Sequence, residues 1–115
     1  MECIFCRILA GEIPSQEVMS DEDFIAIRDI NPKAPVHVLI VPRQHITDMN
    51  ELAASEPALA GRLFQAVGRV AAKEGIAQSG YRVIVNCGPD GGQEVAHLHL
   101  HLLGGRPIGP MVSQP

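Results

Sequence analysis

The sequence lacks any run of lysine and arginine, and its 13 acidic residues outnumber its 9 basic ones. Broad contact with a nucleic-acid backbone depends on clustered positive charge, so we expect no nucleic-acid partner. The sequence also lacks the roughly 18 consecutive apolar residues of a membrane-spanning helix, and its first residues carry no basic leader. We therefore expect a cytoplasmic protein without a membrane partner.

Cysteine is scarce as well. Only Cys3, Cys6 and Cys87 occur, and this odd number argues against a disulfide scaffold. Hydrophobic residues, by contrast, make up 46% of the chain against 19% charged residues, which excludes the composition of a disordered protein. A length of 115 residues predicts a single domain over residues 1–115.

Local patterns predict an α+β fold in which one long helix lies across an antiparallel sheet. Apolar spacing indicates a short helix over residues 3–10 that Gly11 ends, and a long helix from Glu56 to Glu74 that Ser55 caps. Runs of β-forming residues predict five strands: Glu17–Met19, Phe24–Arg28, Val36–Val41, Tyr81–Val85 and Leu98–Leu103.

Three of the five histidines, His97, His99 and His101, alternate with leucines in the last predicted strand. Alternate side chains of a strand point to opposite faces, so the three imidazoles share one face and the leucines face the core. One histidine in a strand is usually a structural residue. Three at this spacing indicate metal ligation or imidazole catalysis.

A glycine-rich segment, residues 88–94, lies just before the histidines. Small residues can expose backbone N–H groups to an anion, although such a segment is also typical of a hairpin turn. Its position beside three histidines favours phosphate binding.

With these residues the chain resembles the histidine triad (HIT) superfamily, whose His-x-His-x-His motif matches His97 to Leu103. It resembles in particular the small nucleotide-binding branch that acts as purine nucleoside phosphoramidases. The matching segments, in chain order, are 4–5, 29–32, 34–37, 91–93 and 103–107. The resemblance implies a HIT-like fold with a five-stranded antiparallel sheet, a purine nucleotide ligand and a homodimer.

The resemblance also implies an activity, hydrolysis of the P–N bond of purine nucleoside 5′-phosphoramidates through a covalent nucleotidyl-histidine. His99 would be the nucleophile and His101 would contact the phosphate, with His97 and His37 in support. Elementary chemistry agrees, because a neutral imidazole exposes one lone pair only while its other ring nitrogen donates. Two alternatives stay open: a dinucleoside polyphosphate hydrolase of the same superfamily, and a zinc-bearing, nucleotide-binding regulatory module.

Further residues are implied to bind the nucleotide. Asp29 would accept hydrogen bonds from the ribose, although it could instead cap the following Asn31-Pro32 turn. The Asn86 side chain and the amides around Gly92, Gln93 and Glu94 would hold the phosphate. The base pocket would be apolar, and each of its residues could equally be a core residue: Ile4, Phe5, Ile8, Ile27, Ile30 and Leu39.

Two features depart from the vertebrate relatives. Glu94 replaces the serine that those proteins often carry near the phosphate. There is no tryptophan, whereas those proteins border the active site with one from the partner subunit. Both departures bear on which leaving group the site accepts.

The pair Cys3 and Cys6 forms a C-x-x-C motif, which in a cytosolic chain indicates a metal or redox site. No βαβ pattern surrounds it, which disfavours a thioredoxin-like motif. The resemblance implies a structural zinc ion held by Cys3, Cys6, His45 and His97, since four protein ligands close a tetrahedral site. The alternative is a pair of reduced, half-buried cysteines.

Overall fold

The computed structural model describes residues 3–55 and 57–113, which form a five-stranded antiparallel sheet and three helices. The sheet order is β1-β2-β3-β5-β4. The strands are β1 (Glu17–Ser20), β2 (Phe24–Arg28), β3 (Val36–Pro42), β4 (Tyr81–Ile84) and β5 (Leu100–Gly104), and the helices are α1 (Ile4–Leu9), α2 (Met49–Ala54) and α3 (Pro57–Lys73). The predicted α+β class and antiparallel sheet are confirmed.

Strand β3 is the centre of the sheet and is buried from its second residue onward. It pairs antiparallel with β2 on one side and with β5 on the other. Its β-branched and apolar residues suit a strand that is covered on both faces. Because Leu39 lies opposite His101 and His37 lies opposite Leu103, the imidazoles of His37 and His101 are diagonal neighbours on one face.

The two faces of the sheet carry different clusters. The even-numbered residues of β2, β3 and β5 pack with the buried stripe of α3, whose members are Leu59, Leu63, Ala66, Val67, Val70 and Ala71. The odd-numbered residues of β2 and β3 pack with α1 in a second cluster, which contains Cys3, Phe5, Ile25, Ile27, Leu39 and Val41. His37, His99 and His101 lie on this second face.

The long helix is found where it was predicted, with two differences at its start. The predicted first residue, Glu56, lies outside the described residues, and the described helix runs from Pro57 to Lys73. Ser55, the predicted N-cap, instead closes α2, because its hydroxyl donates to the carbonyl of Leu52 at 2.8 Å. Gly75 follows the helix with a positive φ of 75°, as a C-terminal glycine should.

Helix α2 was not predicted. The side chain of Asp48 caps it by accepting from the N–H of Glu51 at 2.9 Å, and the Glu51 carboxylate accepts from the N–H of Thr47 at 2.6 Å. This pair resembles a capping box, which was the available sequence signal.

Strand β5 begins two residues later than predicted. Its last pair with β3 joins Leu100 to Ile40, and the last two residues of β3, Val41 and Pro42, pair only with β2. The N–H of Leu98 donates instead to the carbonyl of Ile46 at 2.7 Å. His97 and His99 therefore precede the strand, yet Leu98 still packs in the α3 cluster and the alternation of faces holds. Among the described residues, no helix is long and apolar enough to cross a membrane.

Candidate active site and metal centre

The second face of the sheet brings together four of the five histidines in one row. His37 comes from β3, His101 from β5, and His97 and His99 from the segment just before β5. The ring centroids of His99 and His101 lie 5.0 Å apart, and those of His37 and His101 lie 5.2 Å apart. The fifth histidine, His45, follows β3 and has its ring centroid 4.7 Å from that of His97.

His99 is held by a backbone acceptor. Its Nδ1 lies 2.8 Å from the carbonyl oxygen of His97, so Nδ1 carries the proton and donates it there. The lone pair of the neutral ring is then on Nε2. The ring of Phe5 from α1 supports the His99 imidazole, with centroids 5.0 Å apart. The His99 side chain is 8% exposed, so it is largely shielded from bulk water.

His101 has the opposite tautomer, because a chain of hydrogen bonds begins at a backbone donor. The N–H of Lys33 donates to Nδ1 of His37 at 3.1 Å, which leaves the His37 proton on Nε2. Nε2 of His37 lies 3.0 Å from Nδ1 of His101 and donates to it. His101 must therefore carry its own proton on Nε2, beside the lone pair of His99.

Burial favours the neutral forms of His37 and His101. It lowers the pKa of His101 to about 4, with further lowering from the neighbouring His99 and His37. Burial also lowers the pKa of His37, although the nearby Asp29 carboxylate opposes this. With these hydrogen bonds the site presents one imidazole lone pair, on His99, and one imidazole N–H donor, on His101.

Asp29 lies at the edge of the histidine row and has a structural contact of its own. Its Oδ1 accepts from the N–H of Asn31 at 2.8 Å, so the carboxylate caps the Asn31-Pro32 turn. Its Oδ2 lies 3.4 Å from Nε2 of His37. Lone pairs of both oxygens remain for other donors.

The glycine-rich segment is a tight turn with internal hydrogen bonds. The N–H groups of Gly92 and Gln93 donate to the carbonyls of Pro89 and Gly88, both at 3.1 Å. The expectation that these two amides face the phosphate is therefore corrected. The Asn86 side chain also donates within the turn, to the carbonyl of Gly91 at 2.7 Å.

The side chain of Gln93 braces this turn, a role that the sequence analysis missed. Its Nε2 donates to the carbonyls of Thr47 and Val95, at 2.7 and 3.0 Å, and its Oε1 accepts from the N–H of Gly88 at 3.0 Å. A glutamine whose partners are all backbone atoms leaves no side-chain pattern in the sequence.

The residues proposed for a base pocket fall into two groups. Ile27 and Leu39 are buried in the second cluster beside Phe5, and Ile8 packs against its edge. Ile4 is 46% exposed, and Ile30, next to Asp29, is 98% exposed. The exposed isoleucines are available to a ligand, whereas the buried ones support the face beneath it.

Cys3, Cys6, His45 and His97 come together as predicted, with all four ligand atoms within 4.8 Å of one another. Four of the six separations, each involving Nδ1 of a histidine, run from 3.1 to 3.6 Å. Zn–S bonds of about 2.3 Å and Zn–N bonds of about 2.0–2.1 Å place tetrahedral ligand atoms about 3.3–3.8 Å apart. The donor set and its spacing fit a zinc ion.

His97 is prepared for this site by a second hydrogen bond. Its Nε2 donates to the carbonyl of Pro42 at 2.9 Å, which leaves the Nδ1 lone pair directed at the two cysteine sulfurs. Burial and the neighbouring Cys3 raise the pKa of the Cys6 thiol. A bound divalent cation reverses that preference, because thiolates rather than thiols are its ligands.

A second cluster of possible ligands, Asp29, His37 and His101, does not fit a metal ion. Its central atom is Nε2 of His37, which carries the proton because Nδ1 accepts from the Lys33 N–H. If that proton moved to Nδ1, the Nδ1–H would face the N–H of Lys33, and two donors would oppose each other. Only the Cys/His cluster has its lone pairs free for a metal.

The chain is similar to known proteins over most of its length. A family model described as "HIT domain" matches residues 10–108. The purine nucleoside phosphoramidase of Escherichia coli K12 is 47% identical over 112 residues, covering 97% of this chain and 94% of that protein. Two solved structures are also similar. The histidine triad protein of Clostridium difficile has a TM-score of 0.92 and 42% identity, covering 97% of both chains. A HIT family hydrolase of Clostridium thermocellum has a TM-score of 0.90 and 49% identity, covering 96% of both.

The pKa of His101 generates a prediction about stability. The folded chain resists protonation of His101 down to pH about 4, whereas the unfolded chain takes up that proton near pH 6.5. This contribution to the free energy of unfolding is complete above pH 6.5 and is lost as the pH falls to about 4. It amounts to about 2–3 kcal/mol.

Urea denaturation of the wild type and His101→Gln at several pH values checks this prediction. The wild type should lose more stability on acidification than the variant, since other acid-sensitive groups cancel in the difference. Titration of His101 near pH 6.5 in an NMR experiment would contradict it.

Proposed function

The chain belongs to the HIT domain family, and from that premise we propose that it is an enzyme that hydrolyses the P–N bond of purine nucleoside 5′-phosphoramidates. The observation that carries the proposal is the pairing of tautomers. His99 offers an Nε2 lone pair because its Nδ1 donates to a backbone carbonyl, and His101 beside it offers an N–H. The His99 lone pair attacks phosphorus, and the His101 N–H stabilises the negative charge that develops on the phosphoryl oxygens.

The proposed reaction has two steps. Nε2 of His99 attacks the α-phosphorus, the P–N bond breaks, and the amine leaves with a proton taken from solvent while the nucleotide stays on His99. Water then attacks the same phosphorus, the N–P bond to His99 breaks, and the nucleoside monophosphate is released. Overall one water is consumed, with its hydroxyl ending on phosphorus and its proton on the amine.

Each supporting residue has a distinct task in this proposal. His101 donates from Nε2 to a phosphoryl oxygen. His37 fixes that donor by donating to Nδ1 of His101, and the carbonyl of His97 fixes the lone pair of His99. Pre-set hydrogen bonds of this kind need no rearrangement as the transition state forms.

Nucleotide binding is proposed at the two ends of the histidine row. The free lone pairs of Asp29 accept from the ribose hydroxyls, and the exposed Ile30 and Ile4 contact the purine. The backbone N–H of Glu94 and the second N–H of the Asn86 amide remain for the phosphate. Purine specificity follows the activity in the name of the Escherichia coli relative.

Turnover of a fluorogenic adenosine 5′-phosphoramidate tests the activity. His99→Ala should lower kcat about a thousandfold or more, because it removes the nucleophile. Wild type quenched during turnover should show an AMP adduct by mass spectrometry, and His99→Ala should show none. Calorimetric AMP binding by the variant controls for folding.

Other outcomes of this assay point elsewhere. A wild type that binds AMP but turns over nothing indicates the regulatory binding module. Faster cleavage of dinucleoside polyphosphates than of phosphoramidates indicates the polyphosphate hydrolase. A variant that retains activity within about tenfold of wild type would overturn the role of His99.

We also propose that Cys3, Cys6, His45 and His97 hold a structural zinc ion. When bound, the ion supplies a closed four-ligand site that joins α1 to the segment before β5, with no open position for a reacting water. The protein purified from zinc-replete cells should contain one zinc ion per chain by plasma mass spectrometry. Cys6→Ser should lose it, whereas Cys87→Ser should keep it. Equal zinc loss in both variants, or a zinc-free wild type, would contradict the proposal.

A homodimer is proposed through the β4 edge of the sheet. Strand β4 lies at an edge, where Tyr81 and Ile84 are exposed, and unpaired edge groups favour pairing with another chain. Light scattering should give twice the chain mass of 12.4 kDa. Ile84→Lys should reduce the mass towards 12.4 kDa, and Ser15→Lys beside the opposite edge should not. A wild-type monomer would refute the proposal.

Three free thiols suit a cytoplasmic location.

A further inference from the structure

Arg106 lies just after β5 and contacts the loop that precedes β3. Its Nη2 donates to the carbonyl of Lys33 at 2.9 Å, across 73 positions of sequence, and its Nη1 donates to the carbonyl of Pro107 at 2.9 Å. Both acceptors are backbone oxygens. The guanidinium therefore fixes the path of the chain at Lys33.

Gly105 makes this contact possible. A Cβ at this position would lie 2.9 Å from Cβ of Pro35, and its φ of +92° is one that L side chains rarely adopt. The absence of a side chain lets the segment after β5 lie directly against the loop. The close approach of Gly105 to Pro35, which only glycine allows, thus places Arg106 within hydrogen-bonding distance of Lys33.

Lys33 is the residue that starts the tautomer chain. Its carbonyl accepts from Arg106, and its N–H donates to Nδ1 of His37. These two groups flank one Cα, so holding the carbonyl restricts the direction of the N–H. The Lys33 ammonium adds a third anchor by donating to the carbonyl of Asn31 at 2.8 Å.

We propose that Arg106 is a positioning residue for catalysis, which holds the Lys33 N–H on His37 and thereby keeps the proton of His101 on Nε2. The inference rests on the proposed function for its catalytic consequence. Arg106 touches neither the substrate nor the reacting atoms. It acts through three successive hydrogen bonds: Arg106 to Lys33, Lys33 to His37, and His37 to His101.

Loss of Arg106 changes the balance of tautomers. When the Lys33 N–H is no longer held in place, His37 can carry its proton on Nδ1 and turn its Nε2 lone pair towards His101. His101 then donates from Nδ1 to His37, and its Nε2 lacks the proton that would contact the phosphoryl oxygen. The reaction slows although substrate binding is unchanged.

The test compares wild type, Arg106→Ala, Arg106→Lys and Arg43→Ala. Arg43 is a matched control, because its exposed side chain also donates to a backbone carbonyl, that of Asp21 at 2.6 Å, in the turn between β1 and β2. Arg106→Ala should lower kcat about 3- to 10-fold, the effect of one ordinary hydrogen bond, with KM changed less than about twofold. Arg106→Lys should recover most of the loss, and Arg43→Ala should match wild type.

Two further readouts separate positioning from general damage. Long-range ¹H–¹⁵N NMR of the histidine rings should show His37 protonated on Nε2 alone in wild type, and a second population protonated on Nδ1 in Arg106→Ala. In a His37→Ala background, Arg106→Ala should have no further effect on kcat.

An unchanged His37 tautomer in Arg106→Ala, or kcat losses that add in the double variant, would overturn the positioning role. The NMR arm needs no turnover. A wild type that hydrolyses no phosphoramidate would therefore refute the proposed function, while the His37 tautomers would still decide the role of Arg106.

Discussion

One residue, His97, joins the parts of the site. Its Nε2 donates to the carbonyl of Pro42 at the end of β3, its Nδ1 faces the two cysteines and His45, and its own carbonyl accepts from His99. These contacts use three different atoms, so none competes with another. The fold meets this demand by ending β3 at Pro42 and by starting β5 only at Leu100, which leaves His97 outside the strand ladder.

The alternation of tautomers along the histidine row follows from where each ring finds a backbone partner. His97 carries its proton on Nε2, His99 on Nδ1 and His101 on Nε2. Side chains two residues apart on one face would otherwise be chemically alike. The surrounding carbonyls and the Lys33 N–H leave a lone pair on Nδ1 of His97 beside the cysteines, a lone pair on Nε2 of His99 and an N–H donor on His101.

The sequence predicted most of the fold and which histidines and cysteines come together, but not the hydrogen bonds between them. Periodicity identified the buried stripe of α3, and strand alternation placed the three histidines opposite the leucines. The sequence patterns did not predict α2, whose six residues are too few for a periodic signal. The amides of Gly92 and Gln93 were expected to bind phosphate, whereas in the structure they donate to carbonyls within the turn. His99, His37 and Arg106 each make a decisive hydrogen bond to a backbone atom, which no side-chain pattern records.

The reliance of His99 on a main-chain oxygen has an evolutionary consequence. Every amino acid carries a carbonyl, so no substitution at position 97 can delete the acceptor that orients the His99 ring. The proposed metal ligand and the acceptor belong to the same residue, but only the ligand requires a histidine at position 97. The acceptor requires only that the chain keep its path. A lineage could thus abandon the cysteine and histidine ligands, replace them by apolar packing, and inherit the lone pair of His99 intact.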